Sequence, residues 1–188
     1  MPVGLLLVDI QNDYFPGGKM ELAGSESAGQ KARELLMFFR EKKMPVFHIQ
    51  HLSLRPGATF FIPNTSGADI YRAVEPQGNE PVVQKKYPNS FRETKLLSLL
   101  KEQGISKLVV AGMMTHMCVD ATVRAAMDYG FQCLIAKDAC AAAALKLADY
   151  EISAVNVHMA FLAALNGIYG QVMNSQDIIK TLSDKTNR

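Results

Sequence analysis

The sequence predicts a three-layer α/β fold, in which a doubly wound, mostly parallel sheet of about six strands carries helices on both faces. Three observations lead there. Apolar strand-length runs alternate with helix patterns along all 188 residues. The first run is continuous rather than alternating, as in a strand buried on both faces. Gly or Pro stands at the expected stops of the elements.

Val3–Val8 (VGLLLV) is an apolar run ended by Asp9 and followed by Pro16-Gly17-Gly18, which suits the first strand. Ser27-Ala28-Gly29-Gln30 fits a capping box, and Ala28, Ala32, Leu35, Leu36 and Phe39 make one apolar helix face. Pro45 stops that helix and Val46–Ile49 reads as the second strand. Residues 52–80 carry Pro56, Gly57, Pro63, Gly67, Pro76 and Gly78 with little periodicity, and are expected as a long loop or lid. Val82–Lys85 is the third strand. Ser90-x-x-Glu93 is a second capping-box match, leading to Leu96, Leu97 and Leu100 and stopped by Gly104. Leu108–Ala111 reads as a strand, Cys118–Tyr129 as a helix stopped by Gly130, and Leu134–Ala136 as a strand ending near Asp138. Ala143–Leu165 reads as one long helix, Ile168–Met173 as the last strand and Asp177–Leu182 as the last helix, with residues 183–188 expected to fray.

The length suits one ordinary domain, 1–188, and 48% apolar residues with 20% charged ones can build its core. Twenty basic residues against eighteen acidic ones leave +2, which argues against nucleic acid or an anionic membrane as partner. Three cysteines without CxxC spacing suggest neither a disulfide framework nor a zinc ribbon. The opening MPVGLLLVDIQND has no basic n-region and is not read as a signal peptide. Ile152–Gln176 lacks Asp, Glu, Lys and Arg, but Asn156, His158, Asn166, Gly167, Gly170 and Asn174 break it, so no membrane helix is expected. The expectation is a cytoplasmic protein with a small molecule as its partner.

In a doubly wound sheet, ligands sit outside the carboxyl ends of the strands, so the chemistry is sought there. G-x-G-x-x-G, the phosphate-binding G-x-x-x-x-G-K-[ST] and the G-x-S-x-G elbow are all absent. Three other segments stand out. Asp9-Ile10-Gln11-Asn12-Asp13-Tyr14-Phe15 puts an acid at the end of the first strand. Val83-Gln84-Lys85-Lys86 ends the third strand in a lysine pair and runs on to Ser90-Phe91. Gly112-Met113-Met114-Thr115-His116-Met117-Cys118-Val119 lays a turn and a helix start after a strand. A helix N-terminus and a lysine would both favour a thiolate at Cys118.

In that order, D-x-Q-x-D-[YF] (Asp9, Gln11, Asp13, Tyr14), V-x-K-x-x-x-x-S-F (Val83, Lys85, Ser90, Phe91) and G-x-x-T-x-x-C-V (Gly112, Thr115, Cys118, Val119) resemble the isochorismatase-like cysteine hydrolases. That family includes the nicotinamidases, and the likeness spans essentially the whole chain. The resemblance implies a Rossmann-like fold and a triad of Asp9, Lys85 and Cys118. It also implies a cis peptide between Met113 and Met114 and an oxyanion hole made by the backbone N–H groups of Met114 and Cys118. Such a site cleaves a small amide or related C–N bond: Cys118 attacks, Asp9 moves the proton, Lys85 supports the thiolate, and water resolves the thioester. The family also contains isochorismatase-type and nicotinamidase-type hydrolysis, and homo-oligomers are general in it.

The substrate pocket is expected to hold Tyr14, Phe15, His51, Phe91 and Thr115 beside the triad, closed by residues 52–80 or by a neighbouring subunit. Nicotinamidases carry an Asp-x-His metal pair after the second strand. Here His51 and Ser53 stand at those positions, and His48 and His51 face opposite ways on a strand, so no metal and no cofactor are expected. Met113, Met114 and Met117 suit pocket and core equally. Cys133, Cys140 and His158 read as structural, and His116 as turned away from Cys118. Alternation along the strand selects Lys85 for the site and leaves Lys86 as a surface charge. A non-catalytic binding member of the family is the rival, disfavoured because a binder needs no thiol beside an acid and a lysine. A thiol-redox protein is disfavoured because Cys118 has no resolving cysteine nearby.

Overall fold

The computed structural model describes residues 2–186. The strands are β1 (Val3–Val8), β2 (Val46–His51), β3 (Val82–Lys85), β4 (Lys107–Met113), β5 (Gln132–Ala141), β6 (Leu145–Leu147), β7 (Tyr150–Ile152) and β8 (Gln171–Met173). The helices are α1 (Ser25–Glu41), α2 (Leu96–Glu102), α3 (Asp120–Asp128), α4 (Ala154–Leu165) and α5 (Ser175–Thr186). Six strands form one parallel sheet in the order β3-β2-β1-β4-β5-β8, while β6 and β7 form a separate antiparallel hairpin. The expected fold class is the observed one.

β1 is buried on both faces, as its unbroken apolar run requires. Leu5 and Leu7 pack with Ala32, Leu36 and Phe39 of α1, while Leu6 and Val8 pack with Leu96, Leu100, Val123 and Ala126 of α2 and α3. Burying a Leu or Val side chain is worth about 1.5–3 kcal/mol, so this central strand anchors both layers. Among the described residues no helix is long and apolar enough to cross a membrane.

Several expected boundaries move, each for a local reason. α1 starts at Ser25 behind a left-handed Gly24, so Ser27 and Gln30 lie inside the helix and form no capping box. β2 continues past Ile49 to His51. Ser90 does not cap α2, which begins only at Leu96; its Oγ is instead 2.8 Å from Thr122 Oγ1 on α3. β5 continues past Asp138 through a register shift, and the Asp138 carboxylate accepts from the N–H (2.7 Å) and the hydroxyl (2.8 Å) of Ser175 at the start of α5.

The first third of the expected helix over 143–165 is a hairpin. β6 and β7 turn at Ala148, which has φ 52, and α4 starts only where the Ser153 side chain accepts the Asn156 N–H at 3.3 Å. The alanines there favour helix only weakly as a prior, and tertiary pairing overrides it. α5 runs to Thr186, so residues 183–186 are helical rather than frayed, and the remainder of that expected tail lies outside the described residues.

Residues 52–80 form the expected irregular segment, with short turns at Ser66–Ala68 and Arg72–Val74. Both its ends are tied down. At the far end Glu80 takes two 2.7 Å hydrogen bonds from Arg40 of α1 and one 2.9 Å contact from His48 of β2. At the near end the segment is held by the residues that follow β1, described below.

Candidate active site

The strand order reverses at β1, whose neighbours are β2 on one side and β4 on the other. The crevice outside the carboxyl ends of those strands is where such sheets take ligands. Asp9 follows β1, His51 ends β2, Lys85 ends β3, and Cys118 lies in a π-helical turn, Thr115–Val119, after β4. His51 and Lys85 are register partners on parallel strands. The close approach of β4 to β1 needs Gly112: its φ is +139°, and a Cβ there would collide with the Val8 carbonyl. The peptide between Met113 and Met114 is cis.

Lys85 Nζ joins the cluster. It is 2.7 Å from Asp9 Oδ2 and 3.2 Å from Cys118 Sγ, which it approaches as donor. It also lies 3.0 Å from His51 Nδ1 and donates to the Tyr87 carbonyl at 3.1 Å. The side chains of Lys85 and Asp9 are both wholly buried. The 2.7 Å contact engages Oδ2 in a buried ion pair and leaves Oδ1 without a hydrogen-bond partner. A buried carboxylate with an unsatisfied oxygen is costly in a structural role and useful as a proton acceptor. Asp9 has φ 50°, a left-handed conformation that Asp and Asn tolerate best among side-chain-bearing residues.

Burial pushes the Cys118 thiol well above the ordinary thiol range, the Asp9 charge adds to that, and Lys85 offsets only part of it. Burial therefore favours the thiol, which leaves a proton for Asp9 to take. The physical reason is twofold: the sulfur is almost fully buried, and it precedes α3 in a π turn instead of opening an α-helix. Burial opposes the Lys85 ammonium too, but Asp9 and Cys118 outweigh burial and raise its pKa.

Burial and then the Lys85 charge pull the His51 pKa from 6.5 to about 4. The ring is neutral at pH 7, with Nδ1 accepting from Lys85. This has a sign for stability. Between those two values the unfolded chain binds a proton that the folded one refuses, so stability falls as pH drops from 6.5 toward 4. His48, whose pKa burial also lowers, acts in the same direction. A series of thermal midpoints from pH 7 downward is expected to show this slope, and His51→Gln to flatten it.

Asp9, His51 and Cys118 offer ligand atoms within 4.8 Å of one another, a spacing a metal ion could use. The Lys85 ammonium, however, stands within 3.2 Å of an atom of each. The cluster already holds its cation, and a second one beside it would be repelled in a poorly screened interior. The donor set does not fit a metal.

A cavity of about 140 Å³ opens onto Cys118. Tyr14, Phe60 and Phe61 form its aromatic wall, with Tyr14 and Phe61 edge-on at 4.7 Å between ring centroids. Burial pushes the Tyr14 phenol well above its ordinary value, so it stays an O–H donor. Met114 and Met117 line the cavity, whereas Met113 is core. Ser53, Leu54 and Arg55 belong to the same wall.

Three residues expected in the pocket lie elsewhere. Phe15 stacks on Tyr71 at 3.6 Å and packs over Gly29 of α1. Phe91 sits in the other layer with Tyr129 and Phe131. Thr115 is wholly buried, with Oγ1 donating to the Ala141 carbonyl at 3.1 Å and lying 2.8 Å from His158 Nδ1, so it braces the turn from behind. His116 packs on Phe161 of α4. Lys86 is exposed as expected, but it lines the cavity mouth instead of open surface.

The rest of the first motif holds the 52–80 segment. Gln11 Nε2 donates to the carbonyls of His51 (3.0 Å) and Ala68 (2.7 Å), and its Oε1 accepts the His51 N–H at 2.7 Å. Asp13 accepts the N–H groups of Phe61 (2.6 Å) and Lys19 (3.1 Å). Gly67 lies so close to that carboxylate that a Cβ would overlap it. The apolar Phe60-Phe61-Ile62 run inside an otherwise irregular, proline-bearing segment is the sequence signal that would have marked the pocket wall. Asp13→Ala is expected to cost about 1–3 kcal/mol in denaturant unfolding, because it strands the buried Phe61 N–H. It should also raise KM by releasing Phe61.

An acid, a lysine and a cysteine joined at the carboxyl edge of a parallel α/β sheet define a cysteine hydrolase of the amidohydrolase type. The isochorismatase domain model matches residues 3–177, and the chain belongs to the isochorismatase family. The isochorismatase family protein YddQ of Bacillus subtilis is 48% identical over 180 residues, 96% of this chain and 100% of that one. The maleamate amidohydrolase of Pseudomonas putida is 27% identical, over 95% of this chain and 85% of its own. A crystal structure from the isochorismatase hydrolase group of Oleispira antarctica superposes with a TM-score of 0.92 at 42% identity, covering 95% of this chain and 96% of that one.

Proposed function

We propose that the protein hydrolyses the C–N bond of a small amide through a thioester on Cys118, without a metal. The observation that carries this reading is the Lys85 ammonium set between Asp9 Oδ2 at 2.7 Å and Cys118 Sγ at 3.2 Å. On substrate binding the Cys118 proton passes to the partly unsatisfied Asp9 carboxylate. Lys85 keeps one negative charge beside it throughout, first on Asp9 and then on sulfur, so the transfer costs little electrostatic energy. The thiolate attacks the carbonyl carbon, and the oxyanion is taken by the backbone N–H groups of Met114 and Cys118. Asp9 returns its proton to the leaving nitrogen as the C–N bond breaks. A water molecule, deprotonated by Asp9, then attacks the thioester and frees the acid product and the thiol.

Tyr14 and His51 contact the substrate in this reading. The protein works in the cytoplasm as a homo-oligomer; Leu147, Tyr150, Val155 and Met159 expose apolar surface on the β6–β7 hairpin and α4 that a second subunit would cover. The test is ammonia release across small amides, ureides and hydroxamates, with Cys118→Ala as blank. Release above the blank that persists after dialysis against a chelator is expected. No release on any of them, or release lost with a metal, removes the proposal.

A further inference from the structure

The acid and the lysine of the site do not reach the cavity. The side chains of Asp9 and Lys85 are wholly buried, and neither lines the space that opens onto Cys118. Amide hydrolysis at that sulfur needs a proton given to the leaving nitrogen and another taken from water, both inside the cavity. Besides Cys118, the titratable lining residues are Tyr14, His51, Arg55 and Lys86. Arg55 and Lys86 are exposed, and among the described residues neither is bonded to the buried pair. Tyr14 is not hydrogen-bonded to that pair either, and burial holds its phenol well above the ordinary value, so it gives up a proton poorly. His51 is the exception. It lines the cavity, its Nδ1 is 3.0 Å from Lys85 Nζ, and Nζ is 2.7 Å from Asp9 Oδ2. An ammonium can only donate, so Nδ1 accepts and the neutral ring carries its proton on Nε2. Nε2 has no hydrogen-bond partner among the described residues. The imidazole thus turns an acceptor to the buried pair and keeps a donor for the cavity.

We propose that His51 carries protons between the buried Asp9–Lys85 pair and the reacting groups, first to the leaving nitrogen and then from the hydrolytic water. This rests on the amide-hydrolase reading and names the route its protons take. In acylation the Cys118 proton goes to Asp9 and the thiolate adds to the carbonyl carbon. As the C–N bond breaks, Nε2 gives its proton to the leaving nitrogen, Nδ1 takes one from Nζ, and Nζ is refilled from Asp9. In deacylation each transfer reverses. Water gives a proton to Nε2 as its oxygen adds to the thioester carbon, Nδ1 returns one to Nζ, and Nζ passes one to Asp9. The thiolate takes that proton when the C–S bond breaks, and every group is back in its starting form. The charges favour the outward direction at the right moment. Asp9 and Cys118 hold the Lys85 ammonium up against burial. Once Asp9 carries the thiol proton and the sulfur is bonded to carbon, both anions are gone, and a buried ammonium parts with a proton more easily.

p-Nitrophenyl acetate separates the steps. Its p-nitrophenolate leaves without needing a proton, whereas clearing the acetyl group from sulfur still requires one to be taken from water. His51→Gln keeps a side-chain N–H in place of Nε2 but cannot pass a proton through. This variant is expected to release its first equivalent of p-nitrophenolate at nearly the native rate. It should then turn over roughly 100-fold or more slowly, the scale of a lost general acid–base group, with acetyl-Cys118 accumulating in the mass spectrum. Iodoacetamide, whose iodide also leaves unprotonated, should label Cys118 in His51→Gln as fast as in the native protein, which reports an intact site. Native-like turnover in His51→Gln, or a burst and labelling that fall as far as turnover does, overturns the relay and leaves the hydrolase reading standing. Native protein that never acetylates Cys118 removes the hydrolase reading, and the relay with it.

Discussion

Cys118→Ala is expected to lower kcat/KM by about 10⁴-fold or more, the scale seen when a covalent nucleophile is deleted from a site whose members act as a unit. The fold should survive, because the change removes one small buried atom from a turn braced by Thr115 and Ala141. The same cysteine should be the first of the three to react with iodoacetamide. All are buried, and burial pushes the Cys133 and Cys140 thiols up to about 12. The thiol of Cys118 is raised as well, so a low pKa is not what sets it apart. Its advantages are that it alone of the three lines the cavity and has a partly unsatisfied carboxylate beside it to take its proton. Asp9→Asn, which keeps the left-handed backbone comfortable, should therefore slow labelling of Cys118 and leave Cys133 and Cys140 as they were. Mass mapping after brief treatment decides this. Equal labelling of all three cysteines would sink the nucleophile assignment.

The second large effect is expected at Lys85. Lys85→Met removes the cation that Asp9, His51 and Cys118 share, and turnover should be lost. It should also destabilise the protein, because breaking a buried ion pair on one side typically costs about 3–5 kcal/mol. Protonation of Asp9 would recover part of that. Asp9→Asn/Lys85→Met is the control: it should regain stability without regaining activity, which separates a folding defect from a catalytic one. Lys86→Met, at an exposed position, should move stability by about 0.5 kcal/mol or less. Turnover retained by the Lys85→Met protein would remove that lysine from the triad.

The doubly wound sheet was legible because its signals are local. VGLLLV can only be a strand that meets protein on both faces, and Ala28 to Phe39 spell one helical stripe. The expected strands fall where strands form, with boundary shifts at β2, β4, β5 and β8. Elements went wrong where propensity and pairing disagree: Ala143–Leu165 looks helical throughout, yet its first third pairs as β6 and β7. The triad was legible through three motifs, each a strand end followed by its turn, so the order of residues along the chain already placed them on one edge of the sheet.

By itself, then, the sequence determined the fold class, the strands that carry Asp9, Lys85 and Cys118, and the face on which Lys85 must stand. Strand periodicity and chain order are properties of neighbours, and neighbours are what a sequence records. Only the tertiary structure decided the rest. It sent Phe15 and Phe91 into the two core layers, because an aromatic near a strand end serves core and pocket equally until packing chooses. It brought Phe60, Phe61 and Arg55 over Cys118 through Asp13 and Gln11, contacts spanning 40 residues or more that no local pattern encodes. It set burial and Asp9 against Lys85 at Cys118, because the pKa of a buried sulfur depends on desolvation and on charges at the ends of two other strands. And it set Arg55 of the 52–80 segment and Lys86 just past β3 along one cavity, a placement that exists only once that segment is tied down.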